Sequence, residues 1–316
     1  MLLAAASRPR ACVVAVIPAP WLSASRAPGP AATERALLGC WLLGGRRYKR
    51  LKDKDLFETV EEVWDRQTLL AAYEVMRRLR LDRFAGVLSA GKEARVYRAI
   101  GRDGREYAVK IYLTVTAEFR KSIQKYLLGD PRFENVDTSN TKKLFFAWAR
   151  KEFRNLKRMY EAGVRVPRPY LVYQNIIVME FLGRDGLRAP TLHEMRHEID
   201  QELAEQLAWE ALDQYTRIYC CARLVHADYS EYNLVYLDGQ LYVIDVAQAV
   251  SLEHPNAGDF LRHDVENIYR FFAKQLGVEL PEPEELLERV KTCQAKCLGE
   301  QRERLEEVRE QQYQAS

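Results

Sequence analysis

A chain of 316 residues with 47% hydrophobic and 29% charged content can bury an ordinary core, which excludes a disordered or fibrous protein and suggests one large domain or two lobes. The net charge of +3 conceals an asymmetry, because residues 1–55 carry ten Lys/Arg against three Asp/Glu, leaving 38 against 42 in residues 56–316. No apolar run reaches the ~20 residues that cross a bilayer, since Pro18 and Pro20 interrupt the best candidate, Cys12–Leu22.

In chain order, the first acidic residue is Glu34, and the Arg-, Ser-, Ala- and Pro-rich stretch before it leaves two readings open, a transit-type leader or a flexible extension. The densest basic tract follows at Arg46–Lys52. It can meet phosphate-rich partners through charge and counterion release, or be a solvated tail. Residues 55–81 are rich in helix formers, and Leu69, Leu70, Tyr73, Met76 and Leu79 mark the expected buried face of one or two helices.

From Phe84 the pattern becomes strand-like, with the turn Gly101-Arg102-Asp103-Gly104 between two of three expected antiparallel strands. The polar stretch 129–143 reads as a mobile loop. Residues 145–163 read as a helix ended by Gly163 and fenced by Pro167 and Pro169, and residues 170–182 supply two further strands. In the strongest helix, Ala204, Leu207, Ala208, Ala211, Leu212, Tyr215, Ile218 and Tyr219 share one face. A hairpin then turns at Asp238-Gly239, a dipeptide suited to two-residue turns. An amphipathic helix near 259–276 and a charged, helical tail after Pro283 complete the reading.

Six cysteines make neither a zinc-ribbon spacing nor a regular disulfide framework, and the expectation is reduced thiols in a cytoplasmic protein. Cys293 and Cys297 have helical spacing but lack nearby histidines, so they read as surface thiols.

Phosphoryl transfer needs a cover over the phosphates, a cation on them, oxygen ligands for magnesium and an acid to orient the nucleophile. Lys110, in Tyr-Ala-Val-Lys-Ile, matches the strand whose lysine neutralises phosphate charge, although a lysine at a strand end is by itself usually a solvated edge residue. Glu152 on the following helix can pair with it. The sharper signal is His226-Ala227-Asp228-Tyr229-Ser230-Glu231-Tyr232-Asn233, whose Asp and Asn carry the spacing of a kinase catalytic loop. Asp228 would orient the nucleophile's proton while Asn233 turns to a metal. Asp245, twelve residues on at the end of an apolar strand, stands where a second metal ligand belongs.

Ser-Ala-Gly-Lys-Glu-Ala-Arg-Val-Tyr (89–97), Leu-Val-His-Ala-Asp-Tyr-Ser-Glu-Tyr-Asn (224–233) and Ile-Asp-Val-Ala-Gln-Ala-Val (244–250) together resemble RIO-family atypical serine/threonine kinases of the first, archaeal-type branch. His254-Pro255, Phe260-Leu261-Arg262 and Asp264-Val265-Glu266-Asn267 continue the likeness, which runs from about Val63 to about Gly277. The resemblance implies an α+β, two-lobed protein-kinase-like fold, with an antiparallel-sheet N-lobe, a reduced and mainly helical C-lobe, and N-terminal helices. It divides the chain into a basic extension (1–54), N-terminal helices (55–82), N-lobe and hinge (83–182), C-lobe (183–280) and tail (281–316).

By the same resemblance Met179, Glu180, Phe181 and Leu182 form an adenine-binding hinge, and Ser89, Gly91, Lys92 and Val96 cover ATP together with Lys110 and Glu152. Asn233 and Asp245 hold Mg2+ or Mn2+, Asp245 is a possible phosphoacceptor, and maturing small ribosomal subunits with their rRNA are the expected partner. Departures from ordinary kinases agree with one another: Ala227 replaces the usual arginine, Val246-Ala247 follows Asp245, and no Ala-Pro-Glu segment marks an activation loop. A slow ATPase or autophosphorylating switch is then as plausible as a broad protein kinase.

Three rivals remain. Gly86 to Glu93 nearly matches a phosphate loop but has Glu93 for the magnesium-binding hydroxyl and no following helix. His193-Glu194-Met195-Arg196-His197, with Glu210 downstream, spells a zinc-protease motif but sets Arg196 beside the would-be zinc. A non-catalytic scaffold need not retain Lys110, Asp228, Asn233 and Asp245 together.

Overall fold

The computed structural model describes residues 64–91, 93–113, 117–133 and 140–292. Lys92, the 46–52 tract, Cys293 and Cys297 lie outside them.

Helix α1 (Arg66–Leu79) starts where Asp65 accepts from the Thr68 N–H at 2.7 Å, satisfying one of the free N–H groups of a first turn. It stops at Arg80, whose left-handed backbone lets its N–H reach the Met76 carbonyl. Its buried face is Thr68, Ala71, Ala72 and Val75, while Leu70 and Tyr73 are 63% and 71% exposed. Leu69, Met76 and Leu79 of the expected face pack half-buried against the core beneath the helix, so the correction falls on Leu70 and Tyr73: small alanines let the helix lie close on the sheet, and those two side chains are turned outward.

Under α1 lies one antiparallel sheet of β1 (Leu81–Ala90), β2 (Ala94–Gly101), β3 (Glu106–Tyr112), β4 (Pro169–Tyr173) and β5 (Ile176–Glu180), in the order β1-β2-β3-β5-β4. Its apolar face packs with α1 through Tyr97, Ala99, Val109, Ile111, Ile176 and Val178. Trp64 donates from Nε1 to the Tyr97 hydroxyl at 3.0 Å. The register sets Lys110 opposite both Val96 and Ile177, at the centre of the sheet.

After β3 the chain forms α2 (Ala117–Leu127) and a 3-10 turn at Pro131–Phe133, neither of which the sequence reading anticipated. The signal for α2 is the spacing of Phe119, Ile123, Tyr126 and Leu127, all buried. The 129–143 stretch is not simply a mobile loop, because Asp130 and Phe133 are buried and α3 (Thr141–Glu161) already begins at Thr141 behind the cap Asn140. The remaining residues of that stretch, 134–139, lie outside the described ones.

Beyond β5 come a short hairpin, β6 (Gly183–Arg184) and β7 (Leu187–Arg188), the single turn α4 (Leu192–Met195) and the long α5 (Gln201–Cys220). The face expected for α5 is buried from Ala204 to Ile218, with Tyr219 half-buried. Strand β8 (Leu224–Val225) pairs with β11 (Val250–Ser251), and β9 (Leu234–Leu237) pairs with β10 (Gln240–Val243) across the expected turn. There Asp238 and Gly239 have φ of 55° and 80°, the left-handed pair that a two-residue turn matching strand twist requires. Helix α6 (Ala257–Tyr269), a π-helical segment (Arg270–Gln275) and α7 (Pro283–Lys291) close the helical lobe. Cys220 is buried at the end of α5, with its sulfur 3.1 Å from the Val290 carbonyl of α7.

Candidate active site

Sheet and helical lobe enclose a cleft of about 710 Å3, within the usual range for small-molecule and cofactor sites. Ser89, Gly91 and Val96 line its roof, Lys110 and Glu152 its back, Met179, Glu180, Phe181 and Leu182 its hinge edge, and Asn233 and Asp245 its floor. Gly91 is confined: a Cβ there would stand 3.1 Å from the Ala94 carbonyl oxygen, to which the Gly91 N–H donates. At the hinge, the Glu180 N–H donates to the Arg168 carbonyl and the Ala189 N–H to the Leu182 carbonyl. Apolar walls not singled out from sequence come from Ala108 above and Val235 and Ile244 below. Their signal is alternation on strands already recognised.

Lys110 is buried and bridges two carboxylates, donating from Nζ to Glu152 Oε1 at 2.7 Å and to Asp245 Oδ1 at 2.9 Å. Burial acts to lower its pKa, but Asp245 and Glu152 outweigh burial and leave it well above the usual lysine value. The Glu152 carboxylate also accepts from the Tyr112 hydroxyl, and burial raises its pKa against the pull of Lys110. Asp245 is open to the cleft and is lowered, chiefly by Lys110. Its backbone is left-handed, φ 53°.

Asp228 stands behind the floor. Its Oδ2 accepts from Asn233 Nδ2 and from Gln248 Nε2, both at 3.1 Å. Burial, then the charge of Asp245, push its pKa up to about 6. The loop carrying it is tied from below by Asp264 on α6, which accepts from the Ala227 N–H at 2.7 Å, the Tyr229 N–H at 2.8 Å and the Tyr215 hydroxyl at 2.9 Å. Sequence reading saw Asp264 only as part of a motif. Ala227 has φ 66°, a strained value for alanine, so the two bonds flanking it hold an unfavourable backbone.

The zinc-protease motif does not assemble. Glu194 caps α4 through the Thr191 N–H and pairs with Arg188, which holds its pKa down at about 2, while His193 stacks on Tyr232 at 4.2 Å. Glu210 instead pairs with Arg165 and accepts from the Leu241 N–H. Among the described residues no group of three His, Cys, Asp or Glu side chains could hold a metal. The near-phosphate-loop fails as well, because Ala94–Gly101 is a strand.

A sheet lobe over a helical lobe, with a lysine held between a helix glutamate and a floor aspartate, defines a protein of the kinase-like class. Within that class, the family model described as "RIO domain" matches residues 95–285. The chain belongs to the RIO family of serine/threonine-protein kinases, and its curated relatives are of the Rio1 type. It is 46% identical to Rio1 of Haloferax volcanii over 72% of this chain and 76% of that protein. With RIO1 of Caenorhabditis elegans the identity is 42% over 74% and 45% of the two chains, and with human RIO1 38% over 71% and 39%. The match thus spans less than half of these two eukaryotic relatives. The fold is shared with the Rio2 kinase of Chaetomium thermophilum, solved as an ADP/Mg2+-phosphoaspartate complex (TM-score 0.52, 20% identity, 74% of this chain and 75% of that one).

Proposed function

We propose that the chain is a RIO-type serine/threonine kinase and ATPase that uses Mg-ATP. The observation that carries this reading is the Lys110 bridge between Glu152 and Asp245, with Asp228 and Asn233 beside it. Lys110 meets the phosphates, Ser89, Gly91, Val96 and Lys92 cover them, and the backbone of Met179, Glu180 and Leu182 takes the adenine.

Asn233 and Asp245 offer hard oxygen donors, a set that fits Mg2+ or Mn2+ completed by waters and phosphate oxygens. A bound magnesium neutralises charge on the transferring phosphoryl group. Asp228, with its pKa near 6, accepts the proton of an attacking hydroxyl. For ATP hydrolysis, the Asp245 carboxylate attacks the γ-phosphorus, the bond to the bridging oxygen breaks and ADP departs. Water then hydrolyses the aspartyl phosphate to phosphate and free carboxylate. The Rio2 complex that shares this fold holds a phosphoaspartate with ADP and Mg2+, the covalent species that this reading calls for.

The proposed setting is cytoplasmic, on maturing small ribosomal subunits, through the family resemblance and the 46–52 basic tract. In turnover of γ-labelled ATP, Asp228→Ala should still bind nucleotide and lose orders of magnitude in rate, while Asp245→Ala should bind Mg-ATP weakly. Trapped label should be acid-stable and hydroxylamine-labile. Undiminished turnover in Asp228→Ala would overturn the role given to Asp228, and absence of turnover in wild type would favour a scaffold whose site is unused.

A further inference from the structure

Helix α3 presents more than Glu152 to the catalytic machinery. Lys151, the preceding residue, is fully buried, and its Nζ donates to two backbone carbonyls, Ala247 at 2.8 Å and Ala249. One turn on, the buried Asn155 donates from Nδ2 to the carbonyls of Val246 and Ala249, each at 2.9 Å. Its Oδ1 accepts from Arg132 Nη1 at 2.8 Å, which fixes the orientation of the amide. Arg132 is held by the buried Asp130 at 2.7 Å, and Asp130 Oδ2 accepts the Ser251 N–H at 3.3 Å. The segment Val246–Ser251, which begins directly after Asp245, is thereby fastened from behind at four of its backbone groups.

Two physical facts make this arrangement more than packing. A buried lysine whose Nζ meets two backbone carbonyls and the face of Trp148, with no carboxylate hydrogen-bonded to it, is a costly way to fill space: burial pushes its pKa well below the usual lysine value, a desolvation that an apolar side chain of similar volume would avoid. Asp245 has a left-handed backbone, φ 53°, which costs a non-glycine residue about 1–2 kcal/mol and relaxes unless its surroundings fix it. Carbonyls drawn toward α3 hold that backbone and leave the Asp245 carboxylate facing the cleft.

We infer that Lys151 and Asn155, backed by Arg132 and Asp130, are positioning residues that hold Asp245 in its metal-binding orientation and make the post-Asp245 loop and α3 one body. Glu152 and the metal loop then cannot separate, so the pairing of Lys110 with Glu152 and the placement of Asp245 rise and fall together. The inference rests on the reading of Asp245 as a magnesium ligand.

The test is the fluorescence of a mant-labelled ADP on the full chain, titrated with MgCl2 and, separately, measured in EDTA. Lys151→Met and Asn155→Ala should raise the half-saturating Mg2+ concentration about tenfold or more, the usual size of effect for residues supporting a metal ligand, while affinity in EDTA stays within about twofold of wild type. Arg132→Gln, a half-exposed position, should shift the response in the same direction by a few-fold, and it decides the question if Lys151→Met fails to fold. Unchanged Mg2+ half-saturation in these variants, or an equal loss of affinity in EDTA, overturns the inference. Asp245→Asn separates the levels: if it keeps the wild-type Mg2+ response, the metal reading beneath the inference is what fails.

Discussion

Lys110 and Asp264 are charged groups taken out of water, and each survives burial by a different means. Lys110 is offset by two carboxylates, whereas Asp264 is matched by three donors. Burial pushes the Asp264 pKa up to about 7 even so. Removing its carboxylate leaves two backbone N–H groups and a tyrosine hydroxyl unsatisfied in the interior. Asp264→Leu should therefore cost roughly 3–5 kcal/mol in urea unfolding, and Asp264→Asn, which keeps one acceptor oxygen, clearly less.

His226 is the complementary case. Burial pushes its pKa down to about 4 from 6.5, and its Nδ1 is buried without a partner. Between those values the unfolded chain binds a proton that the folded chain refuses. Its neutral form thus supports stability fully above pH 6.5, and that support is lost as pH falls toward 4, by about 1.4 kcal/mol per unit of pKa difference. Denaturant unfolding at about pH 7.5 and about pH 5 should show this loss in wild type and a smaller one in His226→Gln. An identical pH dependence in the two proteins would contradict it.

At the scale of elements, α1 separates what periodicity can and cannot give. The helix itself follows from composition, while its Asp65 cap is seen only in the structure, and Asp65→Ala should lower the unfolding midpoint by the equivalent of about 1 kcal/mol. The centre of its buried face does not follow, because Leu70 and Tyr73 fall beside Leu69 and Met76 in the pattern yet are exposed, while the smaller Ala71 and Ala72 lie against the sheet. Tyr73→Ser should accordingly change stability by less than about 0.5 kcal/mol, whereas Ala72→Glu should be severely destabilising by forcing a charge between helix and sheet. Helix α2 was hidden for the converse reason, since its four apolar side chains are spread among polar and charged ones over a short stretch.

For the whole molecule, the proposed partner sets the prediction. A basic tract contacting rRNA should act through charge, so reversing Arg46, Arg47, Lys49 and Arg50 should weaken association with small subunits without altering intrinsic ATPase activity. Asp228→Ala should bind and accumulate on the particles, because release requires turnover. Sucrose-gradient cosedimentation at two salt concentrations checks both. Equal absence of wild type and Asp228→Ala from small-subunit fractions at low salt would favour a soluble protein substrate.

The sequence by itself determined the kinase-like architecture and named the residues proposed for the chemical core of the site. Lys110, Asp228, Asn233 and Asp245 sit in local motifs whose residue types and spacing follow from phosphoryl-transfer chemistry, and strand, turn and helix periods around them are short-range properties. Sequence already weighed against the rival motifs, through Glu93 and Arg196; tertiary structure added where their residues go instead and what holds the candidate site in place. His193 and Glu194 carry a metalloprotease spacing, yet packing gives one to Tyr232 and the other to Arg188. The supports of the site reach across 91 residues from Asn155 to Val246 and 37 from Asp264 to Ala227. A side chain that acts by satisfying distant backbone groups leaves no local period or motif, because its partners are brought to it only when the lobes have formed.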